Sequence, residues 1–132
     1  MKFEERLDEL RKLKLPADRF AVFGNGPLSV RGLKEANDLH IIVKKDIWDM
    51  LDRKFMARNN YGGIILGGVE VVKDMLPWFD NLDALIDSAD IIGGIRYVKL
   101  EHVLKWKKDM KRDRDRKDIM LIEEFLNKQN QQ

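Results

Sequence analysis

Cysteine is absent from the 132 residues, which excludes a disulfide framework, a thiolate metal site and a cysteine nucleophile. A reducing compartment is thereby permitted without being required. The two histidines, His40 and His102, are far apart in the chain and form no zinc motif. There is no Gly-x-Ser-x-Gly elbow and no GxxxxGK[ST] phosphate loop, so neither serine hydrolysis nor P-loop chemistry is indicated. No apolar run approaches the roughly 18 residues that suggest a membrane span. The opening Met1-Lys-Phe-Glu-Glu-Arg6 carries mixed charge, which does not suit a secretory signal. The expectation is a cytoplasmic protein with no membrane partner. Neither sign of charge dominates: 25 basic and 23 acidic residues leave a net +2, so the overall balance makes no case for nucleic acid.

What is present reads as one domain over 1–132, with a core of about 18–126 and one ordinary hydrophobic interior. Residues 3–14 place Phe3, Leu7 and Leu10 at helical spacing, with acids early and bases late, and Pro16 closes that helix. Phe20–Phe23 and Leu39–Val43 are apolar strands, and a helical turn from Leu28 to about Lys34 lies between them. Asp46–Phe55 is a helix with Ile47, Met50 and Leu51 inward and Trp48 partly so. Ile64–Leu66, Gly67-Gly68 and Val69–Val72 form a hairpin signal, and Ile91-Ile92, Gly93-Gly94 and Ile95–Val98 a second strand pair. Between them Asp80 or Asn81 caps a short helix through Ala89. Leu100–Met110 and Asp115–Leu126 are helices, and residues 127–132 are a polar tail expected to fray. This order predicts an α+β fold built on one small mixed sheet flanked by helices.

The most informative stretch is Phe20 to Val43. Gly24 and Gly26, in Gly24-Asn25-Gly26-Pro27, suit a backbone that bends sharply and approaches a ligand, and the helix start after them offers N–H groups to an anion. The bland alternative is a tight turn with no ligand. Asp38 and His40, two apart on a strand, leave the same face, while Leu39 and Ile41 point into apolar packing. A phosphate-cradling turn facing a strand with paired metal-type ligands is a plan for a nucleoside triphosphate and a divalent cation.

These residues resemble the nucleotidyltransferase superfamily of polymerase-beta-like folds. Its signature is a hydrophobic strand, Gly-Ser, a spacer, then Asp-x-Asp or Asp-x-Glu, with a third carboxylate on a later strand. Gly24-Asn25 stands at the Gly-Ser position, Asp38-Leu39-His40 at Asp-x-Asp, and Glu70 is the third-carboxylate candidate. The C-terminal helices resemble those of small stand-alone members, with Lys107 matching a lysine that points into the site and Asp115 and Asp118 matching its acidic support. The resemblance implies transfer of a nucleoside monophosphate from ATP or another NTP to an acceptor, with Mg²⁺ or Mn²⁺ at Asp38, His40 and Glu70. It also implies phosphate contacts from Gly24, Asn25 and Gly26, with Arg31 facing either phosphates or solvent. Stand-alone members include antitoxins that adenylylate a partner toxin, so a protein partner is one implied acceptor.

Several positions keep two readings. His40 removes a negative charge from the metal position. It leaves a relative that binds a nucleotide or one metal but transfers slowly or not at all, or an altered working site with Asp74 nearby that favours Mn²⁺ or Zn²⁺, or a packed or solvated strand residue with no chemistry. Glu70 either joins Asp38 or sits on the solvent face of its hairpin. The basic run Lys105–Lys117 alternates with acids, which favours a solvated, salt-bridged helix pair over an RNA-docking strip. Trp106 reads as an apolar anchor and His102 as a surface residue. Trp48, Trp78 and Phe79 are either core or a contact for a protein partner or a second copy of the chain.

Overall fold

The computed structural model describes residues 2–131. Its elements are α1 (Lys2–Lys12), β1 (Phe20–Phe23), α2 (Gly26–Ser29), β2 (Leu39–Val43), α3 (Lys45–Lys54), β3 (Ile64–Leu66), β4 (Val69–Val71), α4 (Leu82–Asp87), β5 (Asp90–Ile92), β6 (Ile95–Tyr97), α5 (Leu100–Met110), a 3₁₀ turn (Asp113–Asp115) and α6 (Arg116–Asn130). The strands form one six-stranded mixed sheet in the order β3-β4-β2-β1-β6-β5. β1 and β2 are antiparallel, while β2 with β4 and β1 with β6 are parallel. The expected α+β architecture is therefore present. Among the described residues no helix is long and apolar enough to cross a membrane.

Strand alternation divides the interior in two. Leu39, Ile41 and Val43 of β2, with Val22, Val69 and Val71, face α1 and α3 and pack with Phe3, Leu7, Leu10, Ile47 and Leu51. Ala21, Phe23 and Ile42 face the opposite way, onto Leu85 and Ile86 of α4, Leu100 and Val103 of α5, and Ile122 of α6. With apolar packing on both faces, β1 has to be an unbroken apolar run, and all four of its residues are buried. In β2 every residue is buried except His40. One half-exposed polar side chain in the middle of a buried ladder marks where the sheet opens to solvent.

Several expected boundaries shift for local reasons. α1 ends at Lys12 instead of Lys14, because the Leu13 and Lys14 amides bond to Leu10 and Arg11 carbonyls and Lys14 takes a positive φ of 53°. The turn after the glycine bend is shorter than Leu28–Lys34: α2 is four residues, and Gly32, at φ 74°, turns the chain away soon afterwards. Met50 is 40% exposed rather than inward, because α3 rests on the sheet through the i, i+4 pair Ile47 and Leu51 with Trp48 beside it. At the other end, α6 continues through Asn127–Asn130, part of the expected tail, since no glycine or proline interrupts it. Those four residues are helical and exposed.

Packing at the first bend leaves no room for a side chain on Gly26, where an added Cβ would lie 2.2 Å from Val22 Cγ1. Gly32 differs, with nothing within 4 Å of an added Cβ and only its φ of 74° to oppose substitution. Gly26→Ala is expected to destabilise the fold by about 1–3 kcal/mol through overpacking, and Gly32→Ala by about 1–2 kcal/mol through backbone strain. Chemical denaturation measures both. Equal stability of wild type and Gly26→Ala would refute the close packing of the bend on β1.

Candidate functional site

The register of β2 creates the site. In the ladders His40 stands beside Phe23 of β1 on one side and Glu70 of β4 on the other. Because Val69 and Val71 point into the core with α1, Glu70 between them points to the opposite face, the one His40 takes. His40 Nε2 and Glu70 Oε2 share a hydrogen bond of 2.8 Å, and Nε2 lies 3.7 Å from Asp38 Oδ2. One ligating atom from each of Asp38, His40 and Glu70 falls within 4.8 Å of the others. Glu70 is thus paired with His40 of β2 and is not an isolated solvent-face residue. Side-chain exposures of 49% for Asp38, 38% for His40 and 22% for Glu70 leave the cluster open to an incoming ion.

The glycine bend backs onto this cluster. Gly24 has a φ of 70°, a left-handed conformation that favours glycine, and an ideal Cβ there would lie 3.5 Å from His40 Nδ1. The imidazole therefore presents Nε2 to the carboxylates and Nδ1 to the bend. The following α2 is a single turn, so little aligned dipole stands behind it. The anion-binding expectation must then rest on the bend's amides and Asn25 rather than on a helix terminus.

Behind the bend lies a buried ionic cluster. Lys107 of α5 is only 3% exposed, and its Nζ donates to Asn25 Oδ1 (3.3 Å), Asp115 Oδ1 (3.3 Å) and Asp118 Oδ2 (3.2 Å). Lys34 Nζ also donates to Asp118 Oδ2 at 2.9 Å, and Arg112 Nε to Asp115 Oδ2 at 2.6 Å. Burial pushes the Asp115 carboxyl up, but the Arg112 hydrogen bond and the charges of Lys107 and Arg112 outweigh it and hold the carboxyl below its ordinary value. The expected partnership of Lys107 with Asp115 and Asp118 is present. Its ammonium is committed to holding Asn25, with the amide oxygen toward the lysine and the NH₂ left to donate elsewhere.

Arg31 does not join this group. Its guanidinium donates to Pro27 O (2.7 Å) and Asp90 Oδ2 (3.0 Å). Asp90 is on edge strand β5, three strand positions from β2 and so roughly 14 Å away. Arg31 lines a separate cavity with Lys99 and Phe125, and Asp74 lines another with Trp48 and Phe79; neither cavity includes Asp38, His40 or Glu70. Lys105, Lys108, Arg112 and Arg116 pair with Asp109, Glu123, Asp115 and Asp113, as a salt-bridged helix pair requires. Trp106 anchors α5 edge-on against Phe23, with ring centroids 5.2 Å apart, while Trp48, Trp78 and Phe79 are half-buried. His102 is also half-buried, its ring edge-on to Phe79 at 6.1 Å.

Lys34 is the residue that sequence reasoning missed. It sits among mixed charges in Leu33-Lys34-Glu35, and nothing in that pattern separates it from an ordinary surface lysine. Only the tertiary placement of Asp118 gives it a role.

The donor set also decides which ions suit it. A carboxylate at position 40 could bridge two cations through two oxygens, whereas the imidazole offers Nε2 alone because Nδ1 faces the bend. These residues do not fit a pair of Mg²⁺ ions, and they do fit one cation with a nitrogen and two oxygen ligands. No family model, curated protein or solved structure shows a significant match to the chain.

Lys107→Met is expected to cost about 3 kcal/mol in chemical denaturation, because Asp115 and Asp118 stay buried with less compensation. Asp115 also contributes a pH dependence of definite sign. A lowered folded value stabilises the protein above the ordinary 3.8 and loses that contribution as pH falls through the folded value. Asp115→Asn should be less stable than wild type at neutral pH, with the gap narrowing as pH drops below about 4. A gap that stays constant with pH would contradict this.

Proposed function

We propose that this chain is a nucleotidyltransferase-like domain that binds a nucleoside triphosphate, with ATP the first candidate, where the β1–α2 bend meets the β2–β4 row. The observation that carries the reading is the convergence of His40 and Glu70, on neighbouring parallel strands, with Asp38 just before β2, and the Gly24 bend beside the imidazole. Asp38, Glu70 and His40 would hold one divalent cation, which neutralises triphosphate charge when bound. Backbone amides of Gly24-Asn25-Gly26 and the Asn25 NH₂ would contact phosphate oxygens. Lys107 acts as a positioning residue through Asn25, and Arg31, tied to Asp90, is left out of the nucleotide contacts.

In the transfer this implies, an acceptor oxygen bonds to the α-phosphorus as the bond to pyrophosphate breaks. The acceptor would come from a partner, with a protein partner the leading candidate. A second reading, a nucleotide- or partner-binding module without turnover, is favoured by the 2.8 Å His40–Glu70 hydrogen bond. That contact occupies a carboxylate oxygen a cation would need, and His40 lowers the negative charge that would attract it.

Calorimetry with ATP, first in Mg²⁺ and then in Mn²⁺, tests the nucleotide site. Measurable wild-type binding, weakened at least about tenfold by Asp38→Ala (about 1.4 kcal/mol), is expected. Wild-type binding no stronger than that of the variant would remove the proposal. Release of pyrophosphate from bound ATP in the presence of an acceptor separates the transferase from the binding module.

A further inference from the structure

The altered triad has a consequence of its own for the kind of ion it takes. Two of its three donor separations, 2.8 Å from His40 Nε2 to Glu70 Oε2 and 3.7 Å to Asp38 Oδ2, bracket a specific distance. Donors spaced about 3.4 Å apart surround an ion tetrahedrally when each bond is about 2.1 Å. Small side-chain rotations would therefore close the three onto one ion, leaving a fourth position for water or a ligand. β2 and β4 cannot slide to relax the arrangement. Leu39, Ile41, Val69 and Val71 are all buried in the same core, and a one-residue slip would turn one strand's set onto the opposite face of the sheet and separate His40 from Glu70.

The chemistry of the donors then selects the ion. Mg²⁺ demands near-octahedral oxygen ligation and dehydrates reluctantly, while an imidazole with two carboxylates is a set that later first-row dications prefer. The imidazole cannot bridge, so a second ion would have only the two carboxylates to share, which favours a single ion. Gly24, at a φ of 70° that favours glycine, turns the backbone beside the Nδ1 edge of the ring.

We infer that Asp38, His40 and Glu70 form a mononuclear nitrogen–oxygen site for a transition-metal dication such as Zn²⁺, with His40 setting the preference over Mg²⁺. The inference shares its residues with the nucleotide reading and needs no nucleotide, so each can fail without the other.

The test is calorimetric titration of chelator-treated protein with Zn²⁺, Mn²⁺ and Mg²⁺ in the absence of nucleotide. Wild type should bind one Zn²⁺ per chain, at least about 100-fold tighter than Mg²⁺, with Mn²⁺ between them. His40→Asp should weaken Zn²⁺ at least about tenfold and strengthen Mg²⁺. His102→Ala should change neither, and circular dichroism verifies that the variants fold. If His40→Asp fails to fold, His40→Asn supplies the same loss of Zn²⁺. Two ions per chain, Mg²⁺ bound as tightly as Zn²⁺, or Zn²⁺ binding unaffected by change at His40 would overturn the assignment. Zn²⁺ binding without ATP binding would leave this assignment standing and remove the nucleotide reading.

Discussion

The row Phe23–His40–Glu70 across β1, β2 and β4 is the constraint on which the rest of the molecule depends. β2 is held antiparallel to one neighbour and parallel to the other, so its register is fixed twice. Each ladder is locked by apolar side chains packed into two different cores, one on each face of the sheet, so a slipped strand would exchange the two sets. That double lock turns a histidine and two carboxylates, distant in sequence for Glu70, into one cluster. Burial of the flanking residues supplies the free energy, and the polar side chains are carried along at the one place where the packing opens.

A second layer ties the bend to the C-terminal helices. Asn25 sits between Gly24, which lies beside the His40 ring, and Lys107, which is anchored by Asp115 and Asp118. Buried charges of this kind are costly to desolvate, and their net contribution to stability is small compared with the damage of removing one partner. Their value here is geometric. α5 and α6 meet in that cluster, and through Lys107 they fix which end of the Asn25 amide faces the bend. The site is therefore assembled from both ends of the chain, the first strand pair and the last helix pair.

Much of this was legible in the sequence because the signals were local. The β1 and β2 limits follow from apolar runs bounded by glycine and charge, and α5 from its apolar periodicity between Val98 and Met110. The pattern predicts Asp38 and His40 two residues apart on one strand; Asp38 instead lies in a bend just before β2, although its carboxylate still reaches 3.7 Å from His40 Nε2. Glu70 was only half legible, because a strand pattern gives a face but not which neighbour it faces; that needed the parallel β2–β4 pairing. Arg31 went the other way: one turn past the bend its distance suits a phosphate contact, but the chain turns at Gly32 and Asp90 captures the guanidinium. Lys34 was invisible, since a lysine in a mixed-charge turn acquires meaning only from a carboxylate 84 residues later.

His40 gives the site its individual character. In the proposed reading it keeps the shape of a cation site while changing the charge, the number of ions and the kind of ion that would fit. A direct measurement of that claim is the backbone amide NMR spectrum during addition of substoichiometric Mn²⁺, whose unpaired electrons broaden nearby signals. The account predicts that Gly24, Asn25, residues 38–41 and residues 69–71 broaden first. Broadening centred on the acidic segments Asp74–Asp83 or Asp113–Asp118, with the His40 and Glu70 amides unaffected, would contradict it.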